Sequence, residues 1–318
     1  MPIVVLRGLM KEQNQNNTCI VSYIKYYNVI GDNVIDRYLN KDVMYPGGNA
    51  VNVAAHASML GAQAAYIGEI GNDLGGRIIT DALSSLNVDL SQSSMPEKAT
   101  TKTCDVNVYN GERVEVGYDT GACWAHKTHI TDSDVKFLQG FDAVFTSVNA
   151  KLQDDVHLVQ DLPAVVVYDF SVKDKYRTDA YFDLVCPATT LGLFSCSGES
   201  DQQIQVLLKR AIEHGCRYTI ATRGPAGPVF FDGSRWYQGN IRPVDALDTM
   251  GAGDSYITAF VVSCLSRGWS KKQPLDAEII RDAMEFAADY SAKNCLKPGG
   301  FGFEHKLAEM KDGQASIS

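Results

Sequence analysis

No basic run occurs in this chain, and its 38 acidic residues outnumber its 29 lysines and arginines, for a formal charge of −9. A nucleic-acid partner calls for the opposite balance, so that class is excluded. No apolar stretch approaches the length of a membrane span. The eight cysteines (Cys19, Cys104, Cys123, Cys186, Cys196, Cys216, Cys264, Cys295) never fall as Cys-x-x-Cys, and no His-x-x-x-His occurs. That excludes a zinc site of the usual spacing. Several of these cysteines lie in apolar runs, as reduced thiols buried in a cytoplasmic protein do. Internal repeats and low-complexity segments are absent. No secretory leader is expected, because Ile3-Val4-Val5-Leu6 is too short for a signal core and no small-residue cleavage site follows. Nor does Gly-x-Gly-x-x-Gly follow the first expected strand, where the chain reads Gly31-Asp32-Asn33-Val34-Ile35-Asp36. A nicotinamide-binding dinucleotide fold is excluded on that ground.

Apolar residues make up 45% of 318 positions, enough for one large α/β domain with an appendage or two ordinary domains. Short apolar runs at 27–31, 64–68, 142–148, 164–170, 191–196 and 218–222 read as buried strands. Helical patterns at 77–86, 151–160, 202–214 and 276–294 separate many of them. This alternation predicts an α/β fold with a mostly parallel sheet covered on both faces, binding ligands at the carboxyl ends of its strands. Residues 103–118 differ. Two alternating segments flank Asn110-Gly111, a hairpin signal, and residues 36–45 are expected to add one more strand beside them.

The chemistry concentrates in Asp248-Thr249-Met250-Gly251-Ala252-Gly253-Asp254-Ser255, followed by an apolar helical run. Small residues at a helix start leave backbone N–H groups uncovered at the positive end of the helix dipole, where an anion such as a phosphoryl group settles. Asp254 then stands as a base beside that anion, which suggests phosphoryl transfer to a hydroxyl. A Gly-rich turn capped by Asp gives similar letters, so a second segment matters. Pro46-Gly47-Gly48-Asn49-Ala50-Val51-Asn52 lets backbone approach a ligand closely and places the Asn52 amide, both donor and acceptor, just inside a helix.

Gly47-Gly48 with Asn52, then Gly61, Gly68 and Gly71-Asn72-Asp73, resembles the first signature of the ribokinase-like (PfkB) carbohydrate kinases, and residues 248–261 resemble the second. Thr258 stands where that family has a smaller residue, on the expected packing side of the helix. The resemblance covers roughly residues 27–300. It implies a three-layer αβα sandwich with a mostly parallel central sheet and a small β lid, which would exclude water from the reaction. It divides the chain into an N-terminal extension of unknown role (1–26), a kinase domain (27–305) with a lid from 36–46 and 96–120, and a flexible tail (306–318). The lid is also a candidate homodimer contact.

The resemblance further implies roles. Asp254 would take the acceptor proton, while Gly251, Ala252 and Gly253 offer amides to the moving phosphoryl group. Asp36 would bind two sugar hydroxyls, with Asp32, Asn33, Gly47, Gly48 and Asn52 in the same pocket. Thr222, Arg223, Gly224 and Gly227 match the nucleotide loop; Arg223 either reaches a phosphate or is a solvated surface charge. Ala288 falls on the helix lining adenine. Glu199 would hold Mg²⁺ through water, although Cys196 replaces the asparagine expected three residues earlier, and a thiol poorly replaces a hard oxygen ligand. Asp248 would help shape a monovalent-cation (K⁺) site. ATP is the implied co-substrate. Within the family, the glycine motifs and Tyr118-Asp119-Thr120 most resemble fructoselysine 6-kinases, which act on a primary hydroxyl of a fructosamine; lid carboxylates Asp105, Glu115 or Asp119 could then meet its cationic nitrogen. Fructokinase or another ketose kinase is the alternative. A nucleoside kinase is disfavoured for want of an aromatic clamp, and Cys196 is the one hint of a degenerate kinase serving as a sugar sensor.

Overall fold

The computed structural model describes residues 9–13, 19–23, 25–109, 112–125 and 129–310. In chain order the strands are β1 (Leu9–Gln13), β2 (Cys19–Tyr23), β3 (Tyr26–Ile30), β4 (Val34–Tyr38), β5 (Val43–Gly47), β6 (Gln63–Ile67), β7 (Thr103–Tyr109), β8 (Glu112–Asp119), β9 (Ala143–Ser147), β10 (Val165–Asp169), β11 (Leu191–Ser195), β12 (Tyr218–Thr222), β13 (Val229–Phe231), β14 (Trp236–Gln238) and β15 (His305–Lys306). The helices are α1 (Asn49–Met59), α2 (Leu74–Ser85), α3 (Gly121–Ala125), α4 (Asp132–Leu138), α5 (Asp179–Val185), α6 (Asp201–Glu213), α7 (Ala252–Ser266) and α8 (Ala277–Asn294).

Eight strands form the central sheet in the order β14-β13-β12-β11-β10-β9-β3-β6. Every pairing from β12 to β6 is parallel, and only β13 and β14 run against their neighbours. The strands are apolar on both sides because both sides are covered. Val29, Phe145, Val167, Leu193 and Ile220 face one core with Val51 of α1, Ile78 of α2, Phe260 of α7 and Met284 of α8. Their neighbours Ile30, Val144, Val166 and Phe194 face a second core with Phe182 of α5 and Leu208 of α6. The period-2 alternation of a strand thus splits each run between two helix layers, giving the expected αβα sandwich.

A separate five-stranded sheet, β15-β5-β4-β7-β8, forms the lid over a small core of Val34, Tyr38, Tyr45, Cys104, Val106 and Val108. Three expectations change here. The single strand expected over 36–45 is a pair, β4 and β5, reversed around Asp42 in the left-handed region (φ 54°). The helix expected over 151–160 is two 3-10 turns, Val148–Ala150 and Val156–Val159, with Lys151 left-handed between the two turns (φ 57°) and no helical register across it. The tail expected to be flexible from 306 begins as a lid strand: β15 pairs with β5, and the Leu307 amide donates to Asp42 O. Positions 110–111 and 311–318 lie outside the described residues. The extension contributes the β1–β2 hairpin, a sheet by itself. Seven described cysteines are all buried and free.

Candidate active site

Three chain segments meet at the carboxyl end of the parallel strands. The loop after β3 brings Asp32 and Asn33. Gly48 (φ 103°) opens α1, and the N-terminus of α7 brings Asp254. Asn49 and Asn52 are one helical turn apart and therefore share a face of α1. Both turn to α7: Asn49 Nδ2 donates to Asp254 Oδ1 at 2.6 Å and Asn52 Nδ2 to Asp254 Oδ2 at 2.7 Å. Asn49 Nδ2 also reaches Oδ2 of Asp169, the last residue of β10, at 3.1 Å. Burial pushes the Asp254 carboxyl up to about 7, aided by the negative charge of Asp169 and Asp32 and opposed by the two amides. Burial likewise lifts Asp169 to about 6 and raises Asp32. Asp32 Oδ1, Asn33 Oδ1, Asn49 Oδ1 and Asn52 Oδ1 are buried without a protein partner, a set of acceptors that hydroxyl groups would satisfy.

Asp36 on β4 is 2% exposed. Gly47 lies beside it so closely that a Cβ there would fall 2.3 Å from Asp36 Oδ2. Arg113 of β8 donates to Asp36 Oδ1 at 3.3 Å and to Cys104 Sγ at 3.0 Å. Burial lifts Asp36 to about 6 despite that guanidinium. Asn33 is tied down through Nδ2 to Tyr66 OH (3.0 Å) and Glu69 O (2.7 Å). Lid charges that reach this pocket are therefore Arg113 and, through its field, Lys102, neither of which the sequence singled out. Asp105 is held by a two-pronged Arg37 contact (2.5 and 2.8 Å), and Glu115 and Asp119 are exposed. No pattern in β8 pointed to Arg113: alternation would bury apolar Val114, Val116 and Tyr118, yet these are among its exposed residues and Arg113 turns inward.

On the other side of the α7 tip lies a cleft of about 590 Å³ lined by Thr222, Arg223, Gly224 and Ala288 together with Ala252 and Gly253. Gly227 is not among its lining residues; it ends the 224–226 turn in a positive-φ conformation (φ 75°) against Gly239 O. Arg223 is not a free surface charge: it lines the cleft and is held by the loop around it. Its guanidinium donates to Gly227 O (2.6 Å), Ala226 O (2.9 Å), Gln238 and Asp201, bracing the loop. Pro243, Val244 and Ala246, passed over in the sequence, form another wall.

Gly251 takes a left-handed turn (φ 68°) before α7, and a Cβ there would sit 2.9 Å from Gly300 O. Of the three amides expected as an anion cradle, that of Ala252 turns back to Thr249 O (3.2 Å), while Gly253 opens on the cleft. Thr258 is buried and donates to Asp254 O at 2.6 Å, so the larger residue is accommodated. Asp248 is fully buried and accepts from Tyr38 OH (2.7 Å), Gly299 N (2.8 Å) and Met250 N (3.0 Å). These contacts make it a brace between lid, α7 tip and the 299–300 segment. Glu199 receives Arg177 Nη1 at 2.6 Å; the same guanidinium donates to Ser171 O and Ser195 O, and Cys196 is buried behind them.

The family description pfkB family carbohydrate kinase matches residues 18–302, so the chain belongs to the PfkB carbohydrate kinases and is a sugar kinase. It is similar to fructosamine kinase FrlD of Bacillus subtilis, 33% identical over 292 residues that cover 90% of this chain and 96% of the relative. Similarity to fructoselysine 6-kinase of Escherichia coli K12 is 28% over 250 residues, covering 79% and 91%. Among solved structures, the fructokinase of Xylella fastidiosa with bound ATP superposes with a TM-score of 0.73 at 15% identity, over 92% of this chain and 99% of that one. That likeness establishes the ribokinase-like fold.

Proposed function

We propose that this sugar kinase transfers the γ-phosphoryl group of ATP to a primary hydroxyl of a ketose-type acceptor, namely the 6-hydroxyl of a fructosamine such as fructoselysine. The observation that carries the reading is Asp254, held by the Asn49 and Asn52 amides between the buried acceptors of the Asp32–Asn33 loop and the cleft at the α7 tip. The acceptor hydroxyl loses its proton to Asp254 as its oxygen attacks the γ-phosphorus; the bond to ADP breaks. A carboxyl near neutrality is well matched to that task. Asp36 and the loop acceptors hold sugar hydroxyls, and the α7 N-terminus stabilises the phosphoryl charge. ATP lies in the cleft against Thr222, Gly224 and Ala288.

Among the described residues no three acidic, histidine or cysteine side chains cluster as metal ligands. Mg²⁺, which keeps several waters, still fits: Arg177 leaves the Glu199 side chain 27% exposed, beside Ser195 and Ser197 of the cleft. Glu199 would hold it through water, and the ion would neutralise phosphate charge. Asp248 does not fit direct K⁺ ligation, being buried under three protein donors, and no step runs through K⁺.

The FrlD and fructoselysine 6-kinase likenesses favour a fructosamine over plain fructose. A panel of fructoselysine, fructose, ribose and nucleosides with Mg·ATP, read as kcat/KM, tests this. Preference for fructose would overturn the acceptor and keep the kinase. No ADP release with any acceptor would instead favour a sugar sensor. We also propose that a second copy covers the outer lid face, where Val114, Val116 and Tyr118 are about half exposed or more along the edge strand β8. Edge strands of this kind are rarely left bare. Val116→Lys is expected to yield a monomer by light scattering; a wild type that is itself monomeric would remove the dimer.

A further inference from the structure

One carboxylate of the cluster has no part in the transfer just described. Asp169 ends β10, is 8% exposed, and accepts the Ser171 amide at 2.7 Å. Its other oxygen takes a hydrogen from Asn49 Nδ2 at 3.1 Å. An amide nitrogen has two hydrogens, and Asn49 gives one to Asp169 and the other to Asp254 at 2.6 Å. The two carboxylates are thus yoked through a single neutral group. That group fixes their spacing without cancelling either charge.

Among the described residues the principal charged and polar groups acting on Asp254 come from three elements. Asp169 comes from the end of β10, Asp32 from the loop after β3, and the Asn49 and Asn52 amides from α1. Arg177 acts on Asp169, and Lys102 on Asp32. No cation counts among the principal influences on Asp254 itself. Two neighbouring carboxylates disfavour each other's ionisation, so each makes the other a better proton acceptor.

We propose that Asn49 and Asp169 are positioning residues which together set the proton affinity and orientation of Asp254: Asp169 supplies the repulsion that makes the base more basic, and Asn49 holds the base in place. This rests on Asp254 acting as the base. The acceptor O–H proton passes to Asp254, and the bond from acceptor oxygen to γ-phosphorus forms as the bond to ADP breaks. Asp169 stays ionised and favours the protonated Asp254 until the proton leaves to solvent.

The pair makes predictions of opposite sign. Asp169→Asn removes repulsion, and Asn49→Ala removes a donor to the anion. With Mg·ATP and fructoselysine or fructose, whichever the wild type phosphorylates, the acid limb of kcat should move down by about one pH unit in Asp169→Asn and up in Asn49→Ala. KM for ATP should change less than about threefold, since neither residue lines the nucleotide cleft. A merely structural role would lower activity at every pH and leave the limb where it was; that outcome overturns the proposal. A second measurement needs no turnover: carboxyl ¹³C NMR titration of Asp254, assigned through Asp254→Asn, in wild type and both variants. Equal Asp254 midpoints in all three sink the yoke. Should Asp169→Asn fail to fold, the Asn49→Ala midpoint decides alone. Full turnover in Asp254→Asn would remove the base instead, while the NMR titration still reports on the pair.

Discussion

Two amides stabilise the charge on Asp254 while burial and two carboxylates oppose it, and opposition prevails, lifting the group to about 7. Because the ionised form is the base, kcat/KM should fall tenfold per pH unit below about 7, checked by a pH–rate profile at saturating Mg·ATP. Asp254→Asn should lower kcat by about 10²–10⁴-fold with ATP affinity kept, as a kcat-against-Kd comparison will show. The same substitution should also stabilise the protein. A carboxyl raised above its unfolded value binds more protons folded than unfolded between about 4 and 7, so its contribution to stability falls as pH rises through that window. The Tm gain of Asp254→Asn should be near zero at pH 4 and largest at pH 8. His56, lowered to about 4 by burial, loses stability in the opposite direction, as pH falls from 6.5; the difference between variant and wild type cancels it. A gain already complete at pH 4 would contradict the raised carboxyl.

The α7 start and the β4–β5 pair show how a glycine shapes an element. At Gly251 the left-handed backbone and the Gly300 carbonyl both refuse a side chain. Gly251→Ala is expected to cost about 1–3 kcal/mol in urea unfolding and to displace the first turn of α7, lowering kcat. Gly47→Ala acts differently: its Cβ would push Asp36 Oδ2 aside, so acceptor KM should rise at least about tenfold while KM for ATP holds. Equal changes in both would mean a general collapse of the lid. At this scale the six parallel strands of the central sheet were legible from apolar runs bounded by turns, and α6 and α8 from their periodicity; β13, β14 and β15, two or three residues long, were not. The 148–159 segment was not. Its buried residues Leu152, Val156 and Val159 mimic helical spacing, yet Lys151 is left-handed and the segment forms two separate 3-10 turns.

Lid and sandwich are joined through a few buried links between distant segments. Tyr38 OH donates to Asp248 at 2.7 Å across 210 residues, and Tyr45 bonds Glu304 at the foot of β15. Tyr38→Phe removes a neutral donor to a buried carboxylate and should cost about 1.5–3 kcal/mol. Because Asp248 also braces the α7 tip, acceptor KM should rise with it. Calorimetry and kinetics on that variant check both; loss of stability with unchanged kinetics would mean that lid and tip are not mechanically linked.

The sequence by itself determined the local chemistry: alternating strands and helices that require a two-faced sheet, glycines that leave backbone amides open at a helix start or let backbone approach a ligand, and Asp254 at that helix start. These depend on neighbours a few residues away, whose steric and dipolar rules are written in the chain. Only the tertiary structure decided that Asp169 and Arg113 join the site, that Arg223 braces a loop, and that Asp248 ties lid to sandwich. Asn49 meets Asp169 across 120 residues and Asp254 across 205. Contacts at such separations are set by how the layers pack, which no short pattern encodes.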